Sequence, residues 1–140
     1  MKKQGFTLIE LMVVIVIMGI LAAVAVPKLF AQIQKSKASE VGPAAGSYVH
    51  MQDAYVVDQQ KVGSFAEIGY EKPTSSVITY DETTYTWHAK ASKALDKCAN
   101  NGEWGINAAL QGSGAKYTIG ADCPTLTPNF QYIGSSAAGS

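Results

Sequence analysis

No arginine occurs among the 140 residues: all eleven cationic side chains are lysines, and eleven acidic ones balance them to a formal net charge of zero. A neutral, lysine-only set offers no extended basic field for duplex nucleic acid and no guanidinium fork for phosphate or guanine. Specific nucleic-acid binding is not expected. Histidine and cysteine are nearly as scarce, at two each. His50 and His88 are the only imidazole bases, no phosphate-cradling glycine loop precedes a lysine, and no zinc-type spacing joins the histidines to Cys98 and Cys123. His50 and Asp53, one helical turn apart, make a weak acid–base or metal pair, and Asp81, Glu82 and Asp122 lie in no dense oxygen-ligand loop. The expectation is a protein that is not an enzyme, with no cofactor and no metal. Charged residues make up only 16% of the chain, below the usual quarter or so, while the apolar 47% is ordinary. The length suits one domain with an appendage, so the missing charge must be missing from one place.

That place is the N-terminus. After Met1–Gly5, the run Phe6–Val26 has only Thr7 and Glu10 as polar side chains, and Pro27 and Lys28 close it. Some 21 residues at about 1.5 Å each span about 31 Å, the hydrocarbon thickness of a bilayer. Lys2 and Lys3 ahead of the run place its short end on the cytoplasmic side, and everything from Pro27 onward faces outward. A secretory signal peptide, cut after Ala23-Val24-Ala25 to free a chain starting at Val26, and a plain membrane anchor both suit this pattern. Neither explains Glu10. A carboxylate within an apolar span costs about 2.5 to 3.5 kcal/mol near the helix centre, less near an end, and usually marks a function with a nameable partner. No basic side chain lies within a helical turn of Glu10. The nearest cation would be an α-amino group made by cutting after Gly5.

The run Gly5-Phe6-Thr7-Leu8-Ile9-Glu10-Leu11-Met12 resembles the cleavage and assembly motif of type IV pilins, and the likeness continues through Gly19 and Ala22-Ala23-Val24-Ala25-Val26-Pro27. It covers about the first quarter of the chain and is only architectural beyond. The resemblance implies that a prepilin peptidase removes residues 1–5 and N-methylates Phe6, leaving nine lysines against eleven acids. It implies that Glu10 attracts the Phe6 amine of an adjoining subunit, since a charge left alone in a low-dielectric packing is strongly unfavourable. It also implies partners: identical subunits in a helical filament, the pilus assembly platform, minor pilins, and the inner membrane before assembly. The chain is expected to be a major pilin precursor, moving from the bacterial inner membrane to a cell-surface fimbrium that serves adhesion or twitching motility. A type II secretion pseudopilin and a membrane-anchored binding module are the alternatives.

Residues 6–27 then form the transmembrane and assembly helix. Pro27 should kink it and Gly19 weakens it by roughly 1 kcal/mol relative to alanine, so the stretch between them is the candidate to melt, as the resemblance also implies. Over 28–62 an amphipathic helix follows, with Phe30, Ile33, Lys37, Val41, Ala44, Tyr48, Met51, Tyr55 and Val62 as its stripe and Lys35, Glu40, Gln52 and Gln59 opposite. Pro43 predicts a bend or short break near Val41. Residues 63–140 hold a connector to about Ser75, pinned by Phe65, Ile68 and Tyr70, and then strands. Val77–Tyr80 and Thr84–Ala89 flank Asp81-Glu82, Trp104–Leu110 and Lys116–Ile119 flank Gln111–Gly114, and Phe130–Ile133 adds an edge strand. The fold class is α+β, a pilin fold with one long bent helix packed on an antiparallel sheet of about four strands. Cys98 and Cys123, on the outward side of a bacterial membrane, suit a disulfide, as in the C-terminal region of major pilins; free thiols or metal ligation are the other readings.

Overall fold

A computed structural model describes residues 5–95, 98 and 101–134. The chain divides into two units, Met1–Ile33 and Gln34–Ser140. Helix α1 (Leu8–Ala38) supplies the first unit and continues into the second. Thr7 is its N-cap: the Thr7 carbonyl accepts the first helical bond, from Leu11 N–H at 3.2 Å. From Gly5 to Phe30 every residue of the isolated subunit is exposed.

In the second unit, α1 ends at Ala38, Ser39 and Glu40 make a turn, and α2 (Val41–Gln59) begins. This is the break expected near Val41. Pro43 is the third residue of α2, where its missing N–H would have had no intrahelical acceptor. After α3 (Phe65–Ile68), strands β1 (Ile78–Thr83), β2 (Thr86–Ala91), β3 (Glu103–Gln111) and β4 (Gly114–Ala121) form an antiparallel sheet in sequential order. The architecture is α+β, a long bent helix with its α2 part packed on a four-stranded antiparallel sheet.

One face of the sheet carries Ile78, Tyr80, Trp87, Ala89, Trp104, Ile106 and Ala108, all buried. The residues between them, such as Thr79, Asp81, Lys90 and Asn107, face outward, as period-two alternation requires. Against the inner face α2 lays Val41, Ala45, Tyr48, Gln52 and Val56, at helical steps of three and four. The buried tyrosine and tryptophan tips find partners. Trp87 Nε1 donates to Tyr70 Oη at 3.0 Å, Tyr70 Oη donates to the Ala44 carbonyl at 3.1 Å, and Trp104 Nε1 donates to Thr127 Oγ1 at 2.7 Å. Cys98 and Cys123 are joined in a disulfide, with Cα atoms 5.5 Å apart, across the segment that contains β3 and β4.

Several expectations are corrected. Gln52, assigned to the solvent side of the helix, is fully buried, and Met51, assigned to the stripe, is 39% exposed. The reason is a polar clasp: Gln52 Nε2 donates to Tyr48 Oη at 3.0 Å and to the Gly63 carbonyl at 2.9 Å, while Gln52 Oε1 accepts Gly63 N–H at 2.8 Å. A buried amide with such partners no longer bears the desolvation cost that makes glutamine an outside residue. The helix stops at Gln59, with Gln60 left-handed at φ 54°, short of Val62. The first hairpin turns at Thr84 and Tyr85 instead of Asp81-Glu82. Both residues have positive φ, 46° and 63°, the pattern of a two-residue type I′ turn without glycine. Tyr48 Oη donates to the Tyr85 carbonyl at 2.8 Å and holds that turn from below. The expected edge strand is a 3-10 turn, Phe130–Tyr132, in which Phe130 sinks into the core beside Trp87.

The connector is more regular than expected. Ser64 and Glu67 form a reciprocal capping box for α3, and Lys61 Nζ lies 3.2 Å from Glu67 Oε1. Bonds from Ser64 and then Lys61 to its charged form hold the Glu67 carboxyl below its ordinary range.

Candidate functional site

Residues 5–10 form the site to which the sequence points. Gly5, Phe6 and Thr7 precede α1 and are exposed, with Phe6 at 87%. The Gly5–Phe6 bond therefore lies outside the helical ladder, in exposed backbone. A Cβ added to Gly5 would meet nothing within 4 Å. Any requirement for glycine there comes from outside the chain. Residues 1–4, part of the expected leader, lie outside the described residues.

Glu10 sits in the first turn of α1. Its Oε2 accepts Thr7 N–H at 2.9 Å, while Thr7 Oγ1 accepts Glu10 N–H at 3.3 Å. This is a capping box, in which two otherwise orphaned donors of the helix start are satisfied reciprocally. The sequence reading missed it, although Thr-x-x-Glu ahead of an apolar run is its plain signature. The carboxylate is thereby folded back toward the chain start, and an anion in the first turn also suits the positive end of the helix dipole.

The helix that carries Glu10 is the one segment among the described residues long and apolar enough to cross a membrane, with a mean hydropathy of 2.9 over eighteen residues and none of that window buried. Gly19 and Pro27 both lie within continuous α1. No atom lies within 4 Å of a Cβ built on Gly19, so packing within the subunit does not demand glycine. Within the subunit its one effect is a helix weaker than alanine would give.

The other candidates do not assemble into chemistry. Asp53 Oδ1 accepts the Tyr117 hydroxyl at 2.6 Å, and Tyr117 also reaches the Val49 carbonyl at 3.2 Å, so Asp53 serves to tie α2 to β4. Asp81, Glu82 and Asp122 do not converge. Glu82 Oε1 accepts Phe65 N–H at 2.8 Å, whereas Asp122 Oδ2 accepts Glu103 N–H at 3.0 Å at the other end of the sheet. Desolvation raises the Glu82 carboxyl above its ordinary range. His88 contacts Glu103 through Nδ1 and Oε1 on the outer sheet face. Among the described residues no group of three histidine, cysteine or acidic side chains is placed to hold a metal ion.

Residues 1–26 match the family described as the prokaryotic N-terminal methylation motif. The chain is 35% identical to the type IV major alpha-pilin of Moraxella bovis over 113 residues, 77% of this chain and 69% of that protein. It is 39% identical to the type IV major pilin protein PilA of Myxococcus xanthus over 96 residues, 68% of this chain but only 44% of the relative's length. The type II secretion system protein H of Pseudomonas aeruginosa is 36% identical over 86 residues, 61% of this chain and 48% of that protein.

Proposed function

The chain belongs to the type IV pilin family, and from that premise we propose that it is a major pilin precursor: a structural subunit that polymerises into a surface filament for adhesion or twitching motility. In this reading a prepilin peptidase cuts after Gly5 and methylates the Phe6 amine. The mature subunit waits in the inner membrane on α1, and the assembly machinery and minor pilins draw it into the filament. The observation that carries the reading is the pairing of an exposed, non-helical Gly5–Phe6 junction with an apolar helix bearing a single acid, Glu10, in its first turn. Transferring that helix from lipid to a bundle of its copies costs little apolar solvation, so the charge can set the register. Glu10 then meets the Phe6 amine of an adjoining subunit, and the stretch from Gly19 to Pro27 melts on assembly.

The secretion-system relative supports a second reading, a pseudopilin. Calcium-dependent thermal stability of the full chain would favour it. The primary test is intact mass of protein sheared from the cell surface. A chain starting at methylated Phe6 is the expected result. A start at Val26 would mean an ordinary signal peptide, and an intact Met1 a static anchor.

A further inference from the structure

The bonds around Glu10 carry one step more, which rests on the assembly role proposed for that residue. We infer that Thr7 is the positioning residue for Glu10, fixing where its carboxylate waits before a neighbouring amine arrives. A glutamate side chain has three rotatable bonds and, at a helix start, could point along the axis or sideways. Here Glu10 Oε2 is held on Thr7 N–H at 2.9 Å, and Thr7 Oγ1 is held in turn on Glu10 N–H at 3.3 Å. Thr7 is itself anchored, because its carbonyl opens the helical ladder by accepting Leu11 N–H at 3.2 Å. A β-branched residue keeps few side-chain rotamers, so the hydroxyl that closes the box is stiff.

Two consequences follow from this geometry. In the uncut chain the carboxylate enters the bilayer already bonded to backbone N–H, which lowers the cost of an acid in a lipid-facing helix. After the cut, the carboxylate lies beside the residue whose amine has just been freed, since Phe6 directly precedes Thr7. An ionised carboxylate has about four acceptor sites, so the bond from Thr7 N–H leaves capacity for an ammonium from another subunit. Thr7 removes the search: the Glu10 carboxylate is presented at the start of the helix, one residue from the chain end that the cut creates.

The test compares full-length Thr7→Val, Thr7→Ser and Glu10→Ala chains in a piliated host, reading the ratio of sheared filament to processed, membrane-inserted subunit. Valine keeps the shape and the N–H but loses the hydroxyl. It should lower the ratio by about five- to tenfold, the effect of losing an N-cap side chain. Serine should restore the ratio to near wild type. A wild-type ratio from Thr7→Val overturns the inference, and so does a failure of Thr7→Ser to rescue. A Thr7→Val chain left uncut overturns it as well, because Thr7 would then act on the peptidase. Normal filaments from Glu10→Ala refute the charge pairing itself; absent filaments from Glu10→Ala beside normal ones from Thr7→Val refute only the role of Thr7.

Discussion

From Gly5 to Phe30 the side chains have no core to enter, while from Ala38 to Phe130 the apolar ones largely share a core. The first stretch is bound only to itself, through the helical ladder and the Thr7–Glu10 box. The second is cross-tied by a disulfide and by tyrosine and tryptophan hydrogen bonds that reach between elements distant in sequence. One region is complete as a single chain; the other is complete only in a solvent or lattice supplied from outside. Damage to the two should therefore be separable.

Glu10→Ala should make the sharpest separation. Surface filaments should vanish while the near-ultraviolet circular dichroism and melting of the 34–140 unit stay as in the wild type; piliation at wild-type level would remove the distinction altogether. Breaking the staple should do the reverse. The chain-entropy model assigns a loop of about 25 residues roughly 3 to 4 kcal/mol, so Cys98→Ser should lose about that much in urea unfolding of the detergent-solubilised chain. Membrane insertion should not change.

Alkali offers a third route. Burial pushes the Tyr48 hydroxyl up to about 12 and also raises Tyr70, Tyr80 and Tyr117 above their ordinary values. Such groups bind their protons more tightly folded than unfolded, so the unfolded state loses protons first as pH rises. Their contribution to stability is full below about 10, the ordinary tyrosine value, and is lost as pH climbs through the folded values. Phenolate absorbance of the four should appear together with unfolding of the 34–140 unit, whereas vesicle insertion of α1, which contains no tyrosine, should persist. Phenolate signal from these four ahead of unfolding would contradict the burial argument. The smallest effect is expected from Tyr117→Phe. Removing the hydroxyl on Asp53 should cost about 1.5 kcal/mol by urea titration, the lower end for a hydrogen bond to a charged group, since the pair is only partly buried.

What could be read from the sequence follows the same divide. The apolar run and its single acid depend on neighbouring residues, and the fold class, the four strands and their pairing into two hairpins follow from local alternation with one buried face. Gln52 was misplaced because its burial is decided by Gly63, eleven positions away, and polarity alone says nothing of such a partner. The turn at Thr84-Tyr85 hid for a similar reason: neither residue is a turn former, and the support comes from Tyr48. Phe130–Ile133 is too short for periodicity to separate a strand from a turn. Thr7 was different. Its capping-box signature, Thr-x-x-Glu ahead of an apolar run, is wholly local and needs no tertiary partner to be read.

The sequential order of the sheet, each strand beside the one before it, bears on how the outer unit is made. A chain passed outward through a membrane emerges from the N-terminal side, and a meander lets every new strand pair with one already present, without waiting for a distant partner. The unit can grow at the pace of its own export. Cys123 comes after β4 and closes with Cys98 only once the second hairpin is outside, so the covalent lock would arrive last, on a sheet already assembled.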